Sequence, residues 1–412
     1  MDTKLPIFKV LDELIEKLVR TKRVVLTAPP GAGKSTAIPI SLNKHPAFAK
    51  GKIIVLEPRR LAAKQVASRM AETLGEKIGR TVGYRIRGET KCGEQTKVEV
   101  VTEGILIRMI QEDQQLIGVS TVIFDEFHER SLNADLGLAF CLEIASILRV
   151  DLKILVMSAT LEISAVSKLM QNAPIVSCEG KSFPVTPRWQ TKPVVHDQFM
   201  NKLLTDVILA AIGENKGSIL VFLPGELEII KLQASLKNEV PDNCHVLPLY
   251  GRLEFKDQQK AIKPMLDGRK IVLATNVAET SLTIEGIETV IDSGLSKRSI
   301  YEASSGMARL VTQKISKAEA KQRMGRAGRL SPGICYKLWS KAQDGSFPDF
   351  APSEIENSDN EMIKNGIAKN EAKLELAHIN YNILNDLDNA YKLYVELENE
   401  NIQISFKAAI NR

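Results

Sequence analysis

Apolar positions along this chain recur with two alternating periods. Leu5 and Ile7 lead into Val10, Leu11, Leu14, Ile15 and Leu18, the spacing of one helix face. Short, largely β-branched runs follow at 24–26, 53–56, 81–86, 98–101, 121–124 and 153–156, most of them separated by a helical segment. Strand alternating with helix predicts a parallel sheet covered on both faces, with its chemistry at the carboxyl ends of the strands. A proline-marked connection, Phe183 to Pro187 with Pro193, predicts a domain boundary. The alternation then restarts with a helical stripe at Leu203, Leu204, Val207, Ile208 and Ala211, and strands at 218–223, 246–249, 271–274 and 289–292. The pattern therefore divides the chain into two α/β units, 1–185 and 195–350. Residues 351–412 read as an acidic helical appendage, with amphipathic stretches at 371–384 and 387–397 joined at Asn385 and Asp386.

Composition narrows the class. The 412 residues are 44% hydrophobic and 25% charged, as in a soluble globular protein. Asp2, Asp12, Glu13 and Glu16 interrupt the first twenty residues, which argues against a signal peptide, and no long uncharged apolar run follows. A cytoplasmic protein without membrane contact is the expectation. Cys92, Cys141, Cys178, Cys244 and Cys335 have no paired spacing, so neither a disulfide framework nor a zinc site is indicated. The net charge of +5 hides an asymmetry: residues 351–412 carry 11 acidic and 6 basic side chains, leaving the first 350 residues near +10. Such a body permits nucleic-acid binding, although an excess of this size also suits an ordinary solvated surface.

Candidate chemistry lies at the predicted strand ends. Ala28-Pro29-Pro30-Gly31-Ala32-Gly33-Lys34-Ser35-Thr36 follows the first strand and opens a helix. Small residues let backbone N–H groups turn onto phosphate oxygens, a lysine reaches the β/γ-phosphates, and a hydroxyl serves Mg²⁺. Asp125 and Glu126 follow the strand ending at Phe124, where Asp125 would hold the Mg²⁺ shell and Glu126 polarise a water; a helix-capping Asp125 is the structural alternative. Ser158 and Thr160 follow the next strand and could report γ-phosphate state. In the second unit, Arg323, Arg326 and Arg329 recur every three residues, a spacing that stacks them on one helix side. Facing the phosphate loop across a cleft, Arg326 and Arg329 would act as arginine fingers and Gln322 would place the water.

With these pieces in order the sequence resembles the DEAH-box helicases of superfamily 2, over roughly residues 5 to 350. The motifs begin at Ala28, Glu57, Thr102, Asp125, Ser158, Val221, Ala274 and Gln322. Phe127, where most relatives carry Ala, points to the bacterial HrpB-like branch. The resemblance implies two tandem RecA-like domains, with ATP or another NTP and Mg²⁺ between them and single-stranded or partly duplex RNA or DNA crossing their top. It implies nucleotide contacts from Pro30, Gly31, Ala32, Gly33, Lys34, Ser35 and Thr36, with Arg69 on the base and Ile262 where relatives often have an aromatic. It also implies catalytic roles for Glu126, Gln322, Arg326 and Arg329, and strand contacts from Arg59, Arg60, Thr102, Glu103, Thr275 and Asn276. Residues 298–310, with Tyr301, Ser305 and Gly306, resemble the family's strand-separating hairpin. Met324 stands where an Ala is usual. After Ile355 the family would continue into winged-helix, bundle and barrel domains, whereas this chain gives Asn-rich acidic sequence to Arg412.

The function implied is nucleic-acid-stimulated hydrolysis driving 3′ to 5′ translocation or strand separation by a monomer, with room for a protein partner. Two alternatives stand beside it: an ATP-driven clamp that does not unwind, and a remnant that binds weakly.

Overall fold

A computed structural model describes residues 5–29, 31–158, 163–180, 183–192, 200–265, 267–279, 284–302, 307–329 and 331–351. Pro30, Thr160, Ser305, Gly306 and the stretch 352–412 lie outside the described residues, so the readings placed on them stay with the sequence.

The first unit begins with a 3₁₀ turn, Pro6–Lys9, and helix α1 (Leu11–Thr21), which buries Leu11, Leu14 and Leu18 as its spacing predicts. Its sheet holds β1 (Arg23–Thr27), β2 (Lys52–Glu57), β3 (Val82–Ile86), β4 (Glu89–Lys91), β5 (Val98–Thr102), β6 (Val119–Phe124), β7 (Lys153–Ser158) and β8 (Ile175–Ser177). The spatial order is β4-β3-β5-β2-β6-β7-β1-β8, parallel except for the β3–β4 hairpin. Helices α2 (Lys34–Lys44), α3 (Arg60–Leu74), α4 (Glu103–Glu112), α5 (Leu132–Ile147) and α6 (Ile163–Leu169) connect the strands. Because side chains alternate along a strand, neighbouring residues enter opposite cores. Val24, Leu26, Ile53 and Val55 join one apolar cluster, while Val25, Ile54 and Leu56 join the other.

The second unit repeats the plan with β9 (Val185–Gln190), α7 (Met200–Glu214), β10 (Ser218–Phe222), α8 (Glu226–Leu236), β11 (Cys244–Leu249), α9 (Phe255–Ile262), β12 (Arg269–Ala274) and β13 (Ile287–Asp292). An antiparallel hairpin, β14 (Leu295–Glu302) with β15 (Met307–Lys314), precedes α10 (Lys317–Met324) and β16 (Gly333–Ser340). The sheet order is β11-β12-β10-β13-β16-β9, all parallel. Leu220 and Phe222 face one core, Ile219 and Val221 the other.

Two readings of the pattern need correction. The proline-marked stretch is not only a connection: Val185 to Gln190 is the edge strand of the second sheet, where Pro187 costs no ladder bond on its open side. The second unit thus starts about ten residues before 195. The three arginines also do not share one helix side, since α10 ends at Met324 and Arg326 and Arg329 lie in the turns beyond it. Met324 is partly buried against the second core, which accommodates its size.

Candidate functional site

The phosphate loop turns out of β1 through a close-packed bend. Ala28 N donates to Ser158 O (3.3 Å), and Gly31 and Gly33 take φ of 83° and 94°, a region costly for any residue with a Cβ. A Cβ on Gly33 would also stand 2.8 Å from Leu5 Cδ1. The N-terminal segment therefore braces this loop from outside, with Ile7 N donating to Ala32 O (3.2 Å). Lys34, the first residue of α2, is buried and sets its ammonium 3.0 Å from Glu126 Oε2 and 3.5 Å from Asp125 Oδ1.

The acidic pair leaves the end of β6 under constraint. Glu126 is held at φ 49°, and its N–H donates to Asp125 Oδ1 (2.8 Å). Phe127 anchors the turn, buried edge-on against Phe124 with ring centroids 6.1 Å apart. His128 Nδ1 lies 3.4 Å from Glu126 Oε2, and burial lowers the imidazole pKa. Burial alone would raise Glu126, but Lys34, His128 and Arg326 outweigh it and hold the carboxyl at about 2. Asp125 is pushed the other way, by burial and by the charge of Glu126, against the pull of Lys34. The Ser35 hydroxyl stands beside the Asp125 carboxylate, and Asp125 Oδ2 is buried without a hydrogen-bond partner among the described residues. An orphaned carboxylate oxygen beside a hydroxyl fits a hard cation that keeps most of its ligands as water and phosphate. No trio of His, Cys, Asp or Glu suited to a metal occurs among the described residues.

The second unit completes the cluster. Arg326 is buried, and its Nε donates to the Glu279 carbonyl (3.0 Å), with its Nη2 on the same oxygen. It lies within electrostatic reach of Glu126, as does half-buried Arg329. Burial lowers Arg329 to about 10, exposed Arg69 adding to this and Glu126 opposing it. Residues predicted from both units therefore converge on one cleft: Lys34, Ser35, Asp125, Glu126, Arg69, Arg326 and Arg329. Gln322 is half-buried on α10, and Ser158 is buried at the end of β7. Ile262 is taken up in the second core, in the same cluster as Leu61 from the first unit.

The residues assigned to strand contact lie beside this cleft. Arg59 and Arg60 follow β2, and Thr102 ends β5 with Glu103 next to it; the two adjacent strands meet at the pair Glu57 and Thr102. The nucleotide loops follow β6, β7 and β1, farther along the same sheet edge. Arg60 is exposed, whereas half-buried Arg59 pairs with Glu129 (3.1 Å). Glu103 accepts from Ser131 Oγ (2.6 Å). Thr275 caps the 3₁₀ turn Asn276–Ala278, leaving Asn276 half-buried.

The motifs that begin at Ala274 and Gln322 include Glu279 and Arg323, to which the sequence reading assigns no role. Arg323 is fully buried, bonded to Glu279 Oε2 and Asp292 Oδ1 (3.0 Å each) and 4.9 Å from the Phe222 ring centroid. One sequence signal was available: Arg323 stands three residues after Ala320, on the buried side of α10.

Two α/β sheets that bring a phosphate loop, an acidic pair and two arginines together have the arrangement of the helicase class. Sequence-family models agree: DEAD/DEAH box helicase matches residues 9–169 and helicase conserved C-terminal domain matches 200–331. The chain belongs to the DEAD/DEAH box helicases. It is 48% identical over 362 residues to a protein named ATP-dependent RNA helicase HrpB from Escherichia coli, covering 87% of this chain and 44% of that one. It is 38% identical over 356 residues to ATP-dependent RNA helicase HrpA of the same organism, covering 85% of this chain and 27% of that one. The crystal structure of the Escherichia coli DEAH/RHA helicase HrpB superimposes with a TM-score of 0.82 at 46% identity, over 91% of this chain and 46% of the other. The chain thus spans less than half the length of these relatives. Among the described residues no helix is long and apolar enough to cross a membrane.

Proposed function

We propose that the chain is an ATP-hydrolysing motor acting on RNA, with single-stranded RNA as activator and 3′ to 5′ as its direction. The observation that carries this reading is the convergence of Glu126 from one domain with Arg326 and Arg329 from the other. A site divided in this way operates only when its halves are together, so hydrolysis is tied to domain closure. Ser35 and Asp125 would hold Mg²⁺, which when bound draws charge from the β- and γ-phosphate oxygens.

The chain's own residues do the rest. Backbone N–H groups of the phosphate loop and Lys34 bind the triphosphate, and Arg69 lies against the base. Lys34, paired with Glu126 in the absence of phosphate, exchanges that carboxylate for the triphosphate. Losing its neighbouring cation raises Glu126 from about 2 toward the ordinary carboxylate range, making it a better proton acceptor for the attacking water. Arg326 and Arg329 then meet charge developing on the γ-phosphoryl group. Arg60, Thr102, Glu103, Thr275 and Asn276 grip the strand through phosphate and sugar, with little sequence preference. Relatives named as RNA helicases favour RNA over DNA as the strand.

Steady-state ATP hydrolysis with and without poly(U) or single-stranded DNA tests the reading. Poly(U) should stimulate turnover, and Glu126→Gln should lower kcat by about two to three orders of magnitude, the usual scale for a lost general base. Bound nucleotide without stimulated turnover would withdraw the motor assignment. Unwinding of duplexes with a 3′ or a 5′ overhang tests the direction.

A further inference from the structure

We propose that Glu279 is the positioning residue that aims Arg326 into the nucleotide cleft, with Arg59 of the first domain as its partner across that cleft. This rests on the hydrolytic reading above. Glu279 leaves the 3₁₀ turn at the end of β12, is buried, and has two engaged ends. Its carboxylate accepts from Arg323 Nε (3.0 Å), and its main-chain carbonyl receives the Arg326 guanidinium. Arg323 cannot yield, because Asp292 Oδ1 (3.0 Å), Leu295 O (3.1 Å) and the Phe222 ring hold it on its other sides. Fixing the Glu279 side chain therefore fixes the peptide that carries the finger.

The charges around Glu279 explain why the first domain matters. Within the second domain Arg323 bonds two buried carboxylates, Glu279 and Asp292, with Lys337 adding its charge near Asp292 and Arg326 near Glu279. Glu319 adds a third negative charge one turn away on α10 while pairing with Arg298 of β14 (2.6 Å). Burial, with the charge of Glu319 added, pushes the Glu279 carboxyl up to about 7 against the pull of Arg323 and Arg59. Arg59 lies within electrostatic reach from the opposite domain, already bonded to Glu129 just past the catalytic pair. With the cleft closed, Arg59 adds its charge to those of Arg323 and Arg326 around Glu279 and steadies the finger at the moment of hydrolysis. Because Arg323 also bonds the first residue of β14, the hairpin shares this anchor.

The test compares wild type with Glu279→Gln, Arg326→Ala, the double variant and Arg59→Gln. Each is assayed for turnover at saturating poly(U) and for affinity toward ADP and toward Mg·ADP–aluminium fluoride. Glu279→Gln should lower kcat about tenfold with KM for ATP within about twofold, and weaken the fluoride complex about tenfold while leaving ADP binding unchanged. Added to Arg326→Ala it should change kcat less than about twofold, since both act through one guanidinium. A multiplicative loss in the double variant, or a raised KM at full kcat, overturns the proposal. Arg59→Gln leaves the second core intact and should lower kcat even at saturating RNA. A raised RNA requirement with full kcat overturns Arg59 as partner. A wild type that neither turns over ATP nor binds the fluoride complex refutes the hydrolytic reading and this inference with it, whereas an active wild type with additive losses refutes this inference alone.

Discussion

Glu126 sits at φ 49°, a backbone region that residues bearing a Cβ rarely enter, and the Asp125 carboxylate receives its N–H as if to hold it there. That Lys34, Asp125 and Glu126 come together was legible in the sequence because each follows a strand of one parallel sheet. Arg323 and Glu279 were not, since the partners that give them meaning, at 292, 295 and 59, come together only in the fold. Glu279 also carries a signature in stability. Its carboxyl is raised to about 7, mainly by burial, from an ordinary value of 4.5. An acid raised in the folded state favours folding below its unfolded pKa, and that contribution is lost as pH rises through about 7. The melting temperature of wild type relative to Glu279→Gln should therefore fall between pH 5 and pH 7 and level off above. Paired thermal melts across pH 5 to 8 read the difference directly, and a flat difference would place the proton elsewhere.

At the scale of elements, α10 shows how a short helix is made dependable. Eight residues are too few to stand without help, and Ser316 with Glu319 forms a reciprocal capping box at its start. Buried Ser316 takes the Glu319 N–H (3.2 Å) while the Glu319 carboxylate takes the Ser316 N–H (2.7 Å), and that carboxylate also holds Arg298. Ser316→Ala should cost about 1 kcal/mol, the usual worth of such a cap. Urea unfolding would measure it, and a change below a few tenths would mean that Arg298 alone orders Glu319. Most strands of both sheets were legible because parallel strands buried on two faces read as continuous apolar runs, although β16, interrupted by Lys337, and the short β8 were not read. Edges escaped the same logic. β9 alternates exposed Thr186 and Arg188 with partly buried neighbours around a proline, which reads as linker until β16 is beside it. β4 is three residues long and almost wholly polar.

Across the whole molecule, the two sheets meet through α3, the helix that begins just after Arg59. Its residues Ala63, Val66, Ala67 and Met70 belong to the first domain's core, but Leu61 at its start joins Ile262, Ala278 and Val272 in the core of the second. Lys64, one turn on, sits 5.2 Å from the ring centroid of Phe255 on α9, adding a polar contact at the rim. Among the described residues buried in that core Leu61 is the one from the first domain, and with a charged and an aromatic side chain beside it the contact suits the opening and closing proposed for this cleft. Truncating Leu61 to Ala removes a buried side chain whose loss typically costs about 2–5 kcal/mol, and here that cost should fall on the contact between domains and not on either core. Leu61→Ala should thus keep both domains folded while separating their unfolding into two calorimetric transitions, and it should raise the ATP concentration needed for half-maximal turnover. Val66→Ala, which empties space inside the first core, should instead lower one transition and leave the domains' cooperation as it was. If Leu61→Ala melts as a single unit at a lower temperature, the side chain is ordinary core. The proposed closure of Arg326 onto Glu126 would then rest on the charges of Arg59 and Glu279 and the contact of Lys64 with Phe255.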